Sequence, residues 1–572
     1  GMLELRLFTM LRRYFGLLLI LALTLAGALA EAMRDDLWQR YQRYASPYLG
    51  PVAAGAPVNA LSSRVVVVII RDLRLDMSRS MPTLKALREQ GADVVLTLPG
   101  PTYRAPAWMT LLSGATPEIH GFTTNDTIGK VAPDTVLRRA LAARRNTVVI
   151  GGQIWEDVLN NDIQRFDLAP APVNGDIDAE AARAAVEVIN DRLTAAQLVI
   201  LELEGMTNRA DARSVERVDA ALRVIAEAVS VPGPRATAAL VVVADHGVLS
   251  DGSDGGEEDA IARIPLVMAG LGIRPGARLS GSATAFAPTL AALAGLGMPA
   301  QAQGSILSAA LQPAPLEASA TQLATFYETW SEVIRRPRFA AELYRGAQPT
   351  ISAGSESAYQ SLYISMTAAA EAVREGRLNM ERAQRLPVVG GVALLLIAVA
   401  GLCVSAGGWR ALAGGVLILA GAAAFFALGR GHELSLTSIP GGLVAPFYDE
   451  TARDAATVFV VAGLLVAMTA ASREDVLQAI TSVMSSLGLA VLALLCLPLY
   501  FYSQQGAAFT WALPDTRVLF AAITALTGIA AIDLRVLPGN LPIPLGALIA
   551  AGAALVYLLL RRRPARRWDS RP

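Results

Sequence analysis

Apolar positions along the chain follow two different rhythms. Between Val65 and about Leu311, short apolar runs (Val65 to Ile70, Thr147 to Gly151, Leu198 to Leu203, Ala239 to Ala244, Pro265 to Ala269) alternate with helical patterns such as Met81 to Gln90 and Ala179 to Ala195. Unbroken β-branched runs bounded by polar residues read as strands buried on both faces. Their alternation with helices predicts an α/β class, a mostly parallel sheet with helices on both faces.

Elsewhere the apolar stretches are much longer. Leu17 to Ala30, extended by Phe15, Gly16 and Ala32, approaches the ~20 residues that cross a bilayer and follows Arg6, Arg12 and Arg13. An uncleaved anchor is the favoured reading, and a cleaved signal peptide ending near residue 30 is the alternative. Six further stretches follow: Leu386 to Ala406, Trp409 to Leu428, Ala455 to Ala471, Val476 to Tyr502, Val518 to Ile532 and Ile543 to Leu560. The expected division is an anchor (1–32), a juxtamembrane helix and linker (33–62), the α/β domain (63–315), a helical stalk or cap (316–385), a six-helix membrane bundle (386–560) and a basic tail (561–572). Tyr41, Tyr44 and Tyr48 are expected near the membrane surface, where aromatic rings are enriched. Orientation is in conflict: one span, an external domain and six more spans put the C-terminus outside, yet Arg561 to Arg567 is a run that the positive-inside rule holds in the cytoplasm. Either one stretch fails to span, a re-entrant segment lies around Leu434 to Phe447, or the domain is cytoplasmic.

Composition supports a chain partly in lipid: 53% of its 572 residues are hydrophobic and its formal net charge is zero. Balanced charge and the absence of any nucleic-acid motif give no reason to expect nucleic-acid binding. The interiors of the expected spans lack ionisable side chains, which argues against an ion-coupled transporter. Cys403 and Cys496 both fall within those spans, so no disulfide framework is expected.

Candidate chemistry lies at strand ends. Asp72 follows the run Val65 to Ile70, where open α/β sheets place ligands, although a solvated strand-end acid is the plainer alternative. The segment Pro101-Thr102-Tyr103-Arg104-Ala105-Pro106-Ala107-Trp108 and its continuation through Pro117-Glu118-Ile119-His120-Gly121 resemble the alkaline phosphatase superfamily, as do Val242-Val243-Ala244-Asp245-His246-Gly247 and Arg263 to Ile273. The phosphodiesterase and nucleotide pyrophosphatase branch is the nearest match, over roughly residues 63–312. The architecture, one anchor before the domain and a bundle after it, is similar to that of membrane ethanolamine phosphate transferases. The resemblance implies two metal ions held by Asp and His, and a Thr or Ser nucleophile at a helix start. It also implies a bacterial plasma-membrane protein with its domain outside, acting on phosphate-bearing lipid or glycan, with membrane lipid as partner.

By that resemblance Asp72, Asp245 and His246 are metal ligands, and Asp254, Glu204 and Asn208 occupy further ligand positions, with Asp211 competing in the last segment. Arg104 stands at the nucleophile position. A guanidinium stays protonated and cannot attack phosphorus, but it binds oxyanions bidentately. Thr102 serves as nucleophile only if the loop is shifted. His120 is expected to organise its turn, and His432 has no identifiable partner. The departures run from nitrogen to oxygen, which favours manganese, magnesium or calcium over a dinuclear zinc site, with a decayed, metal-free site as the alternative. Two readings stay open: a metal-dependent phosphodiesterase or phosphotransferase, and a pseudoenzyme kept as an anion-binding or scaffolding module.

Overall fold

The computed structural model describes residues 2–49, 55–168, 176–193, 195–205, 212–230, 238–250, 252–335, 355–424, 439–440, 444–470, 475–509, 512–533 and 545–561. Helix α1 (Met2–Gln42) carries the anchor and continues past it without a break. The sheet strands in chain order are β1 (Val65–Ile70), β2 (Ala92–Thr97), β3 (Thr147–Gly151), β4 (Arg165–Leu168), β5 (Leu198–Leu203), β6 (Ala239–Ala244), β7 (Ser253–Asp254), β8 (Arg263–Gly270), β9 (Arg278–Ser282) and β10 (Ile439–Pro440). Eight of them form one sheet in the order β4-β3-β5-β1-β6-β8-β2-β9. It is mostly parallel, with β8 reversed between β6 and β2.

The central strands explain where a site can form. β1, β5 and β6 are buried at every residue, as their unbroken apolar runs require, and β1 lies between the other two in parallel register. Ile70 is level with Leu203 and Ala244, so the residues following all three strands leave the sheet at one rim. Strands β2, β4 and β9 are absent from the sequence expectation. β2 alternates buried and half-buried positions, and β4 and β9 are short and largely polar.

Helix α2 (Arg104–Ser113) begins at that rim. The patterned stretches at Met81 and Ala179 become Pro82–Gln90, with Pro in its first turn, and Ile177–Asn190, whose cap Asp176 accepts from the Ala179 N–H. After the helix Leu316–Arg335, α3 (Glu356–Ala424) carries the stalk directly into the first bundle span. It bends at Gly408, whose φ of 64° a β-carbon disfavours, between the two stretches the hydropathy pattern separates. Helices α4 (Val444–Ala470), α5 (Val476–Gln505), α6 (Thr516–Ala530) and α7 (Leu545–Arg561) complete the bundle. Among the described residues five helices are long and apolar enough to cross a membrane, and α7 is a shorter apolar helix.

Contacts fix the depths of these helices. α1 meets the start of α5 at Gly16, beside Thr481, and its far end donates from Arg40 to the Ala507 carbonyl at 2.7 Å. α6 runs the opposite way: Trp38 and Tyr41 pack on Phe520, and Gly27 packs on Asp533 just past the helix end. The eleven residues from Gly27 back to Gly16 correspond to roughly 16 Å of helix, so α6 stops well short of the other side. α7 begins beside Ile532 at Gly546 and passes Gly463 of α4 at Ile549. α6 and α7 thus lie end to end and share one crossing. In this arrangement α7 runs toward the side from which α1 starts, the side that the positive-inside rule would give the basic tail if both ends face the cytoplasm.

The domain is seated on the bundle. Glu257 pairs with Arg517 at 2.9 Å and accepts from the Thr516 hydroxyl, and Arg374 of α3 pairs with Glu118 at 3.2 Å. Tyr41, Tyr44 and Tyr48 are each at most 2% exposed. They are buried in this junction rather than displayed to the membrane surface, because the Tyr41 carbonyl accepts from Thr123 and the Tyr44 hydroxyl donates to the Glu118 carbonyl. β10, from the connection between α3 and α4, pairs antiparallel with β7.

Candidate metal centre

Asp72 leaves β1 with φ 58°, a left-handed conformation that stores about 1–3 kcal/mol in a non-glycine residue. The conformation is held by its own N–H, which donates to Asp245 Oδ1 at 3.0 Å. The same oxygen accepts from the His246 N–H at 2.7 Å. With Oδ1 fixed by two amides, Asp245 Oδ2 is left buried and without a hydrogen-bond partner, as are His246 Nε2 and Asp254 Oδ1.

Buried polar atoms without partners are rare, and here three of them belong to one neighbourhood. Asp72, Asp245 and His246 each offer a ligand atom, all within 4.8 Å of one another. Burial works to lower the His246 imidazole, but Asp245, Asp72 and Asp254 outweigh it and hold the ring at about 9. Burial likewise pushes the Asp254 carboxyl up to about 6 against the pull of His246. An excess of carboxylate around one imidazole, with orphaned donors, fits a divalent cation. Asp72, Asp245 and His246 would hold it, and Asp254 is the further carboxylate beside them.

The nucleophile position is closed by a ring of contacts. Arg104 begins α2 and lies over Trp108, one turn on, at 4.6 Å from the ring centre. Trp108 stacks on Trp155 at 4.3 Å, the Trp155 indole donates to Glu202 Oε2 at 2.9 Å, and the other Glu202 oxygen receives the Arg104 guanidinium. Glu204 accepts from the same guanidinium nitrogen at 3.1 Å. Burial pushes the Glu202 carboxyl up to about 7 although Arg104 pulls it down. The Arg104 Nε is buried and has no partner. Thr102 is fully buried, and its hydroxyl donates to the Gly256 carbonyl.

Of the residues singled out from the sequence, Asp72, Asp245 and His246 come together and Asp254 lies beside them, whereas Glu204 is drawn to Arg104 instead. Asn208, Asp211 and His432 lie outside the described residues. His120 is held in its turn: Nδ1 accepts from the Phe122 N–H at 3.1 Å and Nε2 lies 3.1 Å from the Thr110 hydroxyl. Sequence reasoning missed Glu202, Trp155 and Asn125, the last accepting from the Ala105 N–H at the start of α2 at 3.0 Å. A signal for Glu202 existed. In Leu201-Glu202-Leu203-Glu204 the two acids share one strand face, and a charge inside a fully buried strand needs a partner.

Residues 68–172 match the model of the type I phosphodiesterase / nucleotide pyrophosphatase family. No curated protein matches the chain. Similar solved structures include a protein in the alkaline phosphatase superfamily from Vibrio parahaemolyticus (14% identity, TM-score 0.36, covering 48% of this chain and 78% of that one). A putative sulfatase from Bacteroides thetaiotaomicron gives 15%, 0.36, 43% and 74%. Murine ectonucleotide pyrophosphatase / phosphodiesterase 5 gives 13%, 0.34, 41% and 96%. Likenesses of this size say nothing about activity. The chain carries a mostly parallel α/β sheet, and its segment 68–172 is similar to the type I phosphodiesterase / nucleotide pyrophosphatase family.

Proposed function

We propose that this chain is a membrane-embedded phosphodiesterase-like module that holds one divalent cation and a phosphate-bearing ligand without covalent phosphoryl transfer, its domain on the outer face of a bacterial plasma membrane. The observation that carries this reading is the engagement of both residues at the expected nucleophile segment, Arg104, which cannot attack, with Glu202 and Glu204, and the hydroxyl candidate Thr102 with Gly256. Asp72, Asp245 and His246 supply two carboxylates and an imidazole. With Asp254 the set is oxygen-rich, which favours manganese, magnesium or calcium. A bound cation would supply a Lewis-acid centre for a phosphoryl oxygen. Arg104 would stand beside it as a fixed second positive charge, its unpartnered Nε the donor left for an oxyanion.

A second reading, hydrolysis without a protein nucleophile, is favoured by the same orphaned donors, since they remain assembled after the nucleophile is gone. The test is titration of full-length protein in detergent with manganese, followed by assay of an aryl phosphodiester. Saturable binding lost in Asp245→Ala, with neither turnover nor a phosphorylated residue, is expected. Turnover that disappears in Asp245→Ala but survives Thr102→Ala would favour the second reading. Loss in Thr102→Ala would overturn both.

A further inference from the structure

A cavity of about 520 Å³ lies between α1, α4 and the end of α6, lined by Glu31, Arg34, Asp449, Arg453 and Asp533 over two alanines. Its depth follows from the helix contacts. Asp533 is level with Gly27, inside the apolar stretch of α1, and Glu31 and Arg34 lie one and two turns nearer the domain. The cavity therefore opens at the domain-side edge of the hydrocarbon layer, where lipid headgroups reside.

Glu31, Asp449 and Arg453 are exposed and Arg34 and Asp533 half-buried, so at this depth their charges are open to lipid headgroups. Among the described residues Arg34 pairs only with its neighbour Asp35, and Glu31, Asp449, Arg453 and Asp533 have no ion-pair partner. Three carboxylates and two guanidiniums face one space, so neither a simple anion nor a simple cation satisfies the set. A ligand carrying both a phosphate and an amine does, with guanidiniums meeting phosphate oxygens and carboxylates meeting the ammonium. The position at the junction of two half-crossings is one where bilayer proteins build binding sites from helix ends.

We infer that this cavity binds the headgroup of a zwitterionic, amine-bearing phospholipid. The site is separate from the cation centre and rests only on the membrane-spanning reading of the bundle. Full-length protein in detergent would be titrated calorimetrically with dihexanoyl phosphatidylethanolamine, dihexanoyl phosphatidylglycerol and free phosphoethanolamine. The expected result is saturable binding of the first, about tenfold tighter than either other probe, one order of magnitude per well-made charged contact. Asp449→Asn and Arg453→Gln each weaken it by about the same factor, while Glu375→Gln on the exposed stalk does not. Equal affinity for both lipids overturns the proposal in wild-type protein alone, whatever the variants do. Tighter binding of free phosphoethanolamine assigns the cavity to a soluble ligand and overturns it as well. Manganese titration of the same wild-type sample separates the two sites, since either can fail while the other stands.

Discussion

At position 104, where the family resemblance implies a nucleophilic hydroxyl, the chain has a guanidinium, and Glu202 and Glu204 are bonded to it. Arg104→Thr would restore the hydroxyl but strand two acids, Glu202 being fully buried. Breaking a buried pair by removing one partner costs about 3–5 kcal/mol, so this variant is expected to unfold at a clearly lower temperature by thermal scanning in detergent, without gaining turnover. His120 gives a second expectation. Burial, with Lys130 nearby, lowers its imidazole from 6.5 to about 3. A folded value below the unfolded one means that the neutral ring's contribution is complete above 6.5 and is lost as pH falls from there toward about 3. Thermal scans across that window should show a steeper acid loss in wild type than in His120→Gln. The positions of Asp72, Asp245 and His246 at strand ends were legible from the apolar runs before them, while their grouping as ligands came from the family resemblance. Glu202 was legible only as a buried-strand acid in need of a partner, because the partner is residue 104, almost a hundred positions away.

Among the elements, the two-residue strand β7 does the most with the least chain. Gly255, which follows it, has φ 83°, and a β-carbon there would fall 2.1 Å from the Tyr103 ring. Gly255→Ala should therefore displace both the Asp254 loop and the segment before α2. Its expected signature is a drop of about tenfold in manganese affinity, comparable to losing one supporting contact of a metal site, read by calorimetry. Continuous strands such as β1, β5 and β6 were visible in the sequence because complete burial leaves an unbroken apolar run. β2 and β9 were hidden, since half-exposed strands near the sheet edge alternate with polar residues and look like loops. The division of one crossing between α6 and α7 was equally hidden: hydropathy reports the length of an apolar stretch, and depth is known only from what each helix touches.

For the whole molecule, the junction between domain and bundle has its own pH dependence. Burial pushes Glu118 up from 4.5 to about 7 despite the opposing pull of Arg374. A folded value above the unfolded one gives a contribution that is complete below 4.5 and disappears as pH rises through about 7. Hydrogen exchange around Tyr44, Tyr48 and Arg374, corrected for intrinsic rates, should quicken between pH 5 and 8, and Glu118→Gln should abolish that change. The pairing of β10 with β7 joins the two regions more directly. Ile439 and Pro440 lie between two helices apolar enough to cross a membrane and pair with Asp254 and Ser253, and Asp254 stands beside the candidate cation ligands. A bilayer thicker or thinner than the apolar stretches tilts the helices it encloses. On the proposed reading the strip of sheet would carry that tilt to Asp254, so manganese affinity measured calorimetrically in bilayers of two thicknesses is expected to differ.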